Sequence, residues 1–185
     1  GVSNSFKKCN IQISDGKIEA IGADSFAGIG GGCSSADNMV IDISGGEIAA
    51  TGSDGGAGIG GKDFMSGGNI TITGGAITAT STTGRGNTVA PAIGDGARDD
   101  DYPYTPGTVR ISNMKMLKAG TDKDSASADT YKNRSAWAGT DENKDISADL
   151  HYVEMEKCEE SLAYRTEDNV IKHYCELCGA LDEQC

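Results

Sequence analysis

Four of the six cysteines cluster near the C-terminal end of the sequence, with the spacing of a metal or disulfide site. Cys175 and Cys178 form a C-x-x-C followed by a glycine, which is typical of the tight turn through which two thiolates reach one zinc ion. Cys158 is a third candidate ligand, and His173 or Cys185 is the fourth. The pattern favours zinc, and two disulfides in an oxidising compartment or free thiols are the alternatives.

The insertion between residues 94 and 106 is a second candidate site, for calcium or a sugar. Insertions in a repeat protein emerge on its surface, where binding loops usually lie. Carboxylates are ligands that calcium accepts, but their spacing here matches neither an EF-hand loop nor the nonapeptide of calcium-binding β-rolls. A solvated acidic loop is therefore favoured over a calcium site. The candidate residues are Asp95, Asp99, Asp100 and Asp101 for calcium, and Tyr102, Tyr104 and the more distant Trp137 for a sugar ring.

The charged residues of the first part of the chain do not form a recognisable catalytic pair. Acid–base catalysis on a glycan requires two groups that converge on one bond. The candidates occur singly in different segments, and the two histidines, His151 and His173, lie outside those segments. We therefore predict that the chain is not an enzyme. The four candidates are Glu19, Asp42, Glu47 and Arg110.

The elements that must position these residues are repeats of about 30 residues. A pair of apolar residues two apart occurs four times, and in the first three copies it is followed by Gly-x-Ile-x-Ala. The string A-G-I-G-G then occurs at 27–31 and 57–61, with a degraded form at 91–94. The apolar pairs are Ile11 with Ile13, Ile41 with Ile43, Ile70 with Ile72, and Val109 with Ile111.

The spacing of apolar residues within each repeat predicts three short strands separated by glycine-rich corners. One coil of such strands cannot bury its own inner face, so the coils must stack. The sequence therefore predicts an all-β fold, a right-handed parallel β-helix over residues 3–117. Equivalent residues of successive coils are expected to stack in two internal columns. The first column is Ile11, Ile41 and Ile70, and the second is Ile29, Ile59 and Ile93.

The composition changes after the repeats and predicts two further segments. Residues 118–149 are small and charged, which favours an irregular capping or linker segment. Residues 150–185 form a Cys-rich module, either zinc-ribbon-like or held by disulfides, and open with an alternating stretch that fits a strand. The remaining cysteines, Cys9 and Cys33, either bridge one another or are two independent thiols.

The acidic charge and the hydropathy pattern exclude several partners. The chain carries 16 basic and 28 acidic residues, a net charge of −12, which repels nucleic acid and anionic lipid. No run of 18 apolar residues occurs, so we expect no membrane insertion. The chain opens almost directly into a repeat, without a signal segment, so we expect it to be part of a longer chain.

The glycine-rich A-G-I-G-G repeats, the ending at 116–127 and the C-terminal cysteine pattern together resemble a known group of proteins. These are poorly characterised surface or secreted proteins of gut Firmicutes that are often described as carrying carbohydrate-binding domains. That resemblance implies an extracellular or cell-surface location and a polysaccharide or host-glycan partner. This chain has Glu160 where that group often has a histidine, which moves the fourth zinc ligand to His173 or Cys185.

Two functions remain open from the sequence. The first is a non-catalytic, adhesin-like surface module that binds a polysaccharide or glycan. The second is a fragment of a β-helical carbohydrate-active enzyme, either a polysaccharide lyase or a glycoside hydrolase. The absence of converging carboxylates favours the first, because a fold by itself does not indicate activity.

Overall fold

The computed structural model describes residues 9–31, 39–84, 89–97, 105–127 and 150–157 with their side chains, and residues 162–167 and 170–175 by backbone alone. Within these residues the chain forms twelve β-strands. The strands are β1 (Cys9–Ile13), β2 (Lys17–Ile21), β3 (Ile29–Gly30), β4 (Met39–Thr51), β5 (Ile59–Gly60), β6 (Asn69–Thr80), β7 (Ile93–Gly94), β8 (Thr108–Ile111), β9 (Met114–Gly120), β10 (Tyr152–Lys157), β11 (Leu162–Glu167) and β12 (Val170–Cys175).

The repeats pair with one another in parallel and in the predicted register. Ile11 of β1 pairs with Ile41 of β4, which in turn pairs with Ile70 of β6. A second, three-stranded parallel sheet joins β3, β5 and β7 and aligns the isoleucines of the A-G-I-G strings. Both predicted columns are therefore confirmed. The second column is Ile29, Ile59 and Ile93.

The prediction of a right-handed parallel β-helix over 3–117 is wrong. The largest sheet has seven strands, with β1, β4, β6, β10 and β9 in order, and it is mixed because β10 runs antiparallel to both of its neighbours. The described strands form this sheet, the three-stranded sheet and the β11–β12 hairpin, and none of these is closed or a solenoid. Parallel stacking of whole repeats thus ends at the third, and only the first half of the fourth repeat, β8, continues it.

The reason is that β10 occupies the place that the fourth repeat was expected to take. The first half of that repeat, β8, does pair in parallel with β6. Its second half, β9, lacks the Gly-x-Ile-x-Ala of the other copies and lies one strand further out, on the far edge of β10. Val153 and Met155 of β10 are 0% and 1% exposed and cover the residues that β9 would have covered.

The core is a set of aliphatic side chains from alternate strand positions, as the period of a strand requires. In β4 the isoleucines and Ala50 point inward and are at most 2% exposed, while Asp42 and Glu47 point outward. The residues before β10 are also anchored in this part of the molecule, since the backbone N–H of Ala92 donates to the Leu150 carbonyl at 2.6 Å. Residues 150–157 therefore belong with the repeats, although their sequence placed them in the Cys-rich module.

Glycines with positive φ mark the corners and the closest approaches between repeats. Gly60 has φ of 134°, and a Cβ there would lie 1.9 Å from the carbonyl oxygen of Gly94. Gly16 has φ of 97°, but a Cβ there would meet nothing within 4 Å. A side chain at Gly16 would therefore introduce backbone strain alone. A side chain at Gly60 would introduce both backbone strain and a steric clash.

We predict that Gly60→Ala destabilises the protein more than Gly16→Ala does. Gly16→Ala introduces backbone strain alone, about 1–3 kcal/mol. Gly60→Ala adds a collision with backbone that cannot rotate away, which costs about 1–3 kcal/mol more. Urea unfolding followed by circular dichroism measures both variants, and equal losses for the two would contradict the close packing of the Gly60 and Gly94 backbones.

Candidate functional site

One face of the large sheet presents two rows of outward side chains across five strands. The alternation that buries Ile48, Ile77 and Met155 turns the residues on either side of them to solvent. The strand register then aligns these outward residues from β2 through β4, β6 and β10 to β9. The first row is Lys17, Glu47, Ala76, Glu156 and Lys115, and the second is Glu19, Ala49, Thr78, Glu154 and Lys118.

A shallow cavity of about 500 Å³ runs between these rows, and we call it the trough. Its floor includes the small side chains of Ala49, Ala76 and Thr78 in the two central strands, β4 and β6. The apolar residues that also line it are Ile18, Ile48, Ile77, Leu117 and Met155. Charged residues of β2 and β4 form one wall, and those of β10 form the other. The charged lining residues are Lys17, Glu19 and Glu47 on the first wall and Glu154 and Glu156 on the second.

Among the described residues, three ion pairs involve charged side chains of the trough, and Glu19 takes part in none of them. Lys17 contacts Glu47 at 2.5 Å, and Glu47 raises the pKa of Lys17, first through this hydrogen bond and then through its charge. On the opposite wall the pairs are longer, and their lysines belong to β9, on the side of β10 away from the trough. These pairs are Lys118 with Glu154 at 3.7 Å and Lys115 with Glu156 at 3.9 Å.

A buried tyrosine fixes the position of one wall. The hydroxyl of Tyr152 donates to Glu154 Oε2 at 3.2 Å, and the residue as a whole is only 5% exposed. Burial raises the pKa of Tyr152, and the charge of Glu154 and the hydrogen bond to it raise that pKa further. Tyr152 therefore stays protonated and continues to donate to Glu154 throughout the neutral range.

The trough brings together carboxylates that the sequence placed in separate segments. Glu47 and Glu156 flank Ala76 in one row, two inter-strand spacings apart, or roughly 9–10 Å between their Cα atoms. Glu47 was recognised as an outward residue, but the sequence assigned Glu154 and Glu156 to another module. The alternation in residues 150–157 indicated a strand, yet nothing in it indicated which strand it would pair with.

Most of the sugar and metal candidates predicted from the sequence lie outside the described residues. His173 and Cys175 are placed by backbone alone, two positions apart in β12, opposite Tyr164 and Leu162 of β11. Across the residues described with side chains, no three histidine, cysteine or acidic residues form a group that could hold a metal ion. The candidates outside the description are Asp99, Asp100, Asp101, Tyr102, Tyr104, Trp137, Cys158, Cys178 and Cys185.

Asp95, one of the calcium candidates, serves as a backbone acceptor. The residue is 7% exposed, and its Oδ1 accepts from the backbone N–H of Gly67 at 2.6 Å and of Gly107 at 2.9 Å. These bonds connect the first residue after β7 to the residues that come just before β6 and β8. In this position the carboxylate stabilises the connection between two repeats.

The N-terminal cysteine of the first repeat forms a disulfide. Cys9 is half-buried in β1 and is disulfide-bonded, so the interpretation of Cys9 as a free thiol is wrong. Cys33, the partner that the sequence suggested, lies outside the described residues.

No protein-family model, curated protein or solved structure matches this chain. Within the described residues, no helix is long and apolar enough to cross a membrane. The site must therefore be interpreted from its own geometry.

We predict that Asp95→Ala lowers the free energy of unfolding by about 1–3 kcal/mol, because the buried N–H of Gly67 and the partly buried N–H of Gly107 lose their acceptor. Thermal unfolding with and without added calcium measures the effect, and the loss is expected to be the same in both conditions. Asp95→Asn, which retains one acceptor oxygen, is expected to lose less. A calcium-dependent rise in melting temperature that Asp95→Ala abolishes would show a cation site instead.

Zinc binding by the C-terminal cysteines stays a prediction from the sequence. A chelator is expected to release about one equivalent of zinc and to raise proteolysis beyond residue 158, because metal binding supplies the folding energy of such small modules. Cys175→Ser is expected to do the same without a chelator. Intact mass spectrometry that shows each cysteine pair lighter by two hydrogen atoms, with no metal, would identify disulfides and reject zinc.

Proposed function

We propose that this chain is a non-catalytic cell-surface or secreted module that binds a polysaccharide or host glycan in the trough. The trough itself carries the proposal. It is a solvent-open channel of about 500 Å³ on a sheet face, with a floor of small side chains and walls of charged ones. Such a channel accommodates an extended, polar chain better than a compact apolar ligand, which needs deeper enclosure.

The side chains of the trough supply both kinds of hydrogen-bonding partner that a sugar needs. Carboxylates on both walls accept from hydroxyl groups, whereas Lys17 donates and the Thr78 hydroxyl does either. The methyl groups of Ala49 and Ala76 leave room for the flat face of a sugar ring to approach the sheet. Each such bond replaces a bond to water and yields little net free energy. We therefore expect weak binding to a single chain, strengthened where several modules are displayed together, as in an adhesin.

The disulfide at Cys9 supports an extracellular or cell-surface location. Disulfides persist in oxidising compartments and are rare where thiols are kept reduced. A module that binds polysaccharide outside the cell would meet that condition.

The alternative, a carbohydrate-active enzyme, rests on the pair formed by Glu47 and Glu156. A glycosidase needs one of its two carboxyl groups protonated, which an apolar enclosure normally achieves. Here both side chains are solvated, 64% and 45% exposed, and each lies beside a lysine. Binding without turnover is therefore the favoured function.

We predict that Ala76→Gln abolishes glycan binding without loss of stability, because it fills the floor of the trough from an exposed position. Ser44→Gln is the matched control, since it adds a similar side chain at an exposed position of β4 outside the trough. A glycan array followed by calorimetry on the best ligands provides the measurement. If no glycan binds, or if Ala76→Gln binds as well as Ser44→Gln does, the proposal is wrong.

The enzymatic alternative has its own measurement. We expect no release of reducing ends from plant or mucin polysaccharides by the unmodified protein. Release that disappears in both Glu47→Gln and Glu156→Gln would establish turnover and replace the binding function.

A further inference from the structure

The charged residues that line the trough are mostly acidic. Its lining holds four glutamates and one lysine, and this lysine is already paired with Glu47. Lys115 and Lys118 of β9 neutralise part of the opposite wall. They lie on the side of β10 away from the trough and do not line it. With those two lysines included, four carboxylates still face three ammonium groups, so one negative charge remains.

The remaining charge has a defined position, at Glu19 of β2. Glu19 forms no ion pair within the described part of the chain, although its charge contributes to the raised pKa of Lys17. The register places it in the second row, facing Glu154 across Ala49 and Thr78. A ligand lying on Ala49 and Thr78 would therefore have a carboxylate on each side, Glu19 on one and Glu154 on the other.

The carboxylates of Glu154 and Glu156, on the β10 wall, can still accept hydrogen bonds from a ligand. Their distances to the lysines, 3.7 and 3.9 Å, are longer than hydrogen bonds, so these ion pairs leave acceptor sites open. Glu154 is held in place through Oε2 by Tyr152, which leaves Oε1 for another donor. Donors that carry a positive charge make the strongest hydrogen bonds to carboxylates.

From this arrangement we propose that the trough selects glycans that carry protonated amino groups, that is, chains of amino sugars without N-acetyl groups. The inference rests on the proposed function and specifies the ligand class of the same site. Uronic acid chains would bring carboxylates against carboxylates and are disfavoured. The net charge of −12 on the whole chain adds a longer-range attraction for a cationic polymer, which salt screens.

A basic peptide has the same charge but fits the trough less well. Peptides that bind to sheets gain affinity by adding a strand to an open edge. The floor strands offer no such edge, because β4 and β6 each have paired strands on both sides, as does β10. A peptide would have to desolvate its backbone on the sheet face without forming that ladder, whereas a sugar chain presents hydroxyl groups along its length.

The test compares a hexamer of β-1,4-linked glucosamine with its fully N-acetylated counterpart by calorimetry on the whole chain. We expect the amine form to bind at least about tenfold more tightly, as three charge contacts in an exposed site would give, and to weaken as salt is raised. Glu19→Gln and Glu154→Gln are each expected to weaken it about two- to fivefold. Asp42→Asn, which removes the same charge from an outward position of β4 outside the trough, is the matched control and is expected to bind unchanged.

The possible outcomes distinguish this inference from the proposed function. If both hexamers bind equally and Glu19→Gln has no effect, the charge selectivity is wrong while glycan binding stands. If neither hexamer binds and a glycan array is also negative, both proposals are wrong. A hexalysine peptide that binds as tightly as the glucosamine hexamer would show that charge alone is recognised and would overturn the selectivity for sugars.

Discussion

The antiparallel pairing of β10 with β6 is the interaction on which both the core and the candidate site depend. The inward side chains of β10 cover the open end of the aliphatic core, and Val153 and Met155 are almost fully buried there. Its outward side chains, Glu154 and Glu156, form one wall of the trough. One strand thus completes the hydrophobic core and the polar face together, because a strand turns alternate residues to opposite sides.

The same alternation separates the outward side chains of the trough from the buried side chains of the core. Substitution of Ala76 or Glu19 changes what the trough presents to solvent, whereas the packing beneath depends on Ile48, Ile77 and Met155. The trough therefore tolerates variation in charge and side-chain size without repacking of the interior. The exposed side chains of such a sheet face can change while the scaffold stays constant.

Close backbone packing replaces the large aromatic core that this chain lacks. Aromatic residues make up 5% of the sequence, and the buried side chains are mostly isoleucine and alanine. Glycines let neighbouring segments approach until a single added carbon would meet backbone atoms, as at Gly60 beside Gly94. The scaffold accordingly depends on the absence of side chains at its corners as much as on the isoleucines inside.

The sequence by itself determined which residues of the first three repeats lie side by side. Ile11, Ile41 and Ile70 are aligned because a two-residue side-chain period and a repeat of about 30 residues leave one register that turns them all toward the core. The sequence could not determine where parallel stacking stops, and the predicted β-helix failed at the fourth repeat. An alternating strand such as 152–157 fits any open edge equally well by pattern, and only the tertiary structure decides between β6 and the Cys-rich module. The strand pairs with β6 because it covers the core surface beside Ile77. The same pairing forms the trough, because it places Glu154 and Glu156 opposite Glu19 and Glu47.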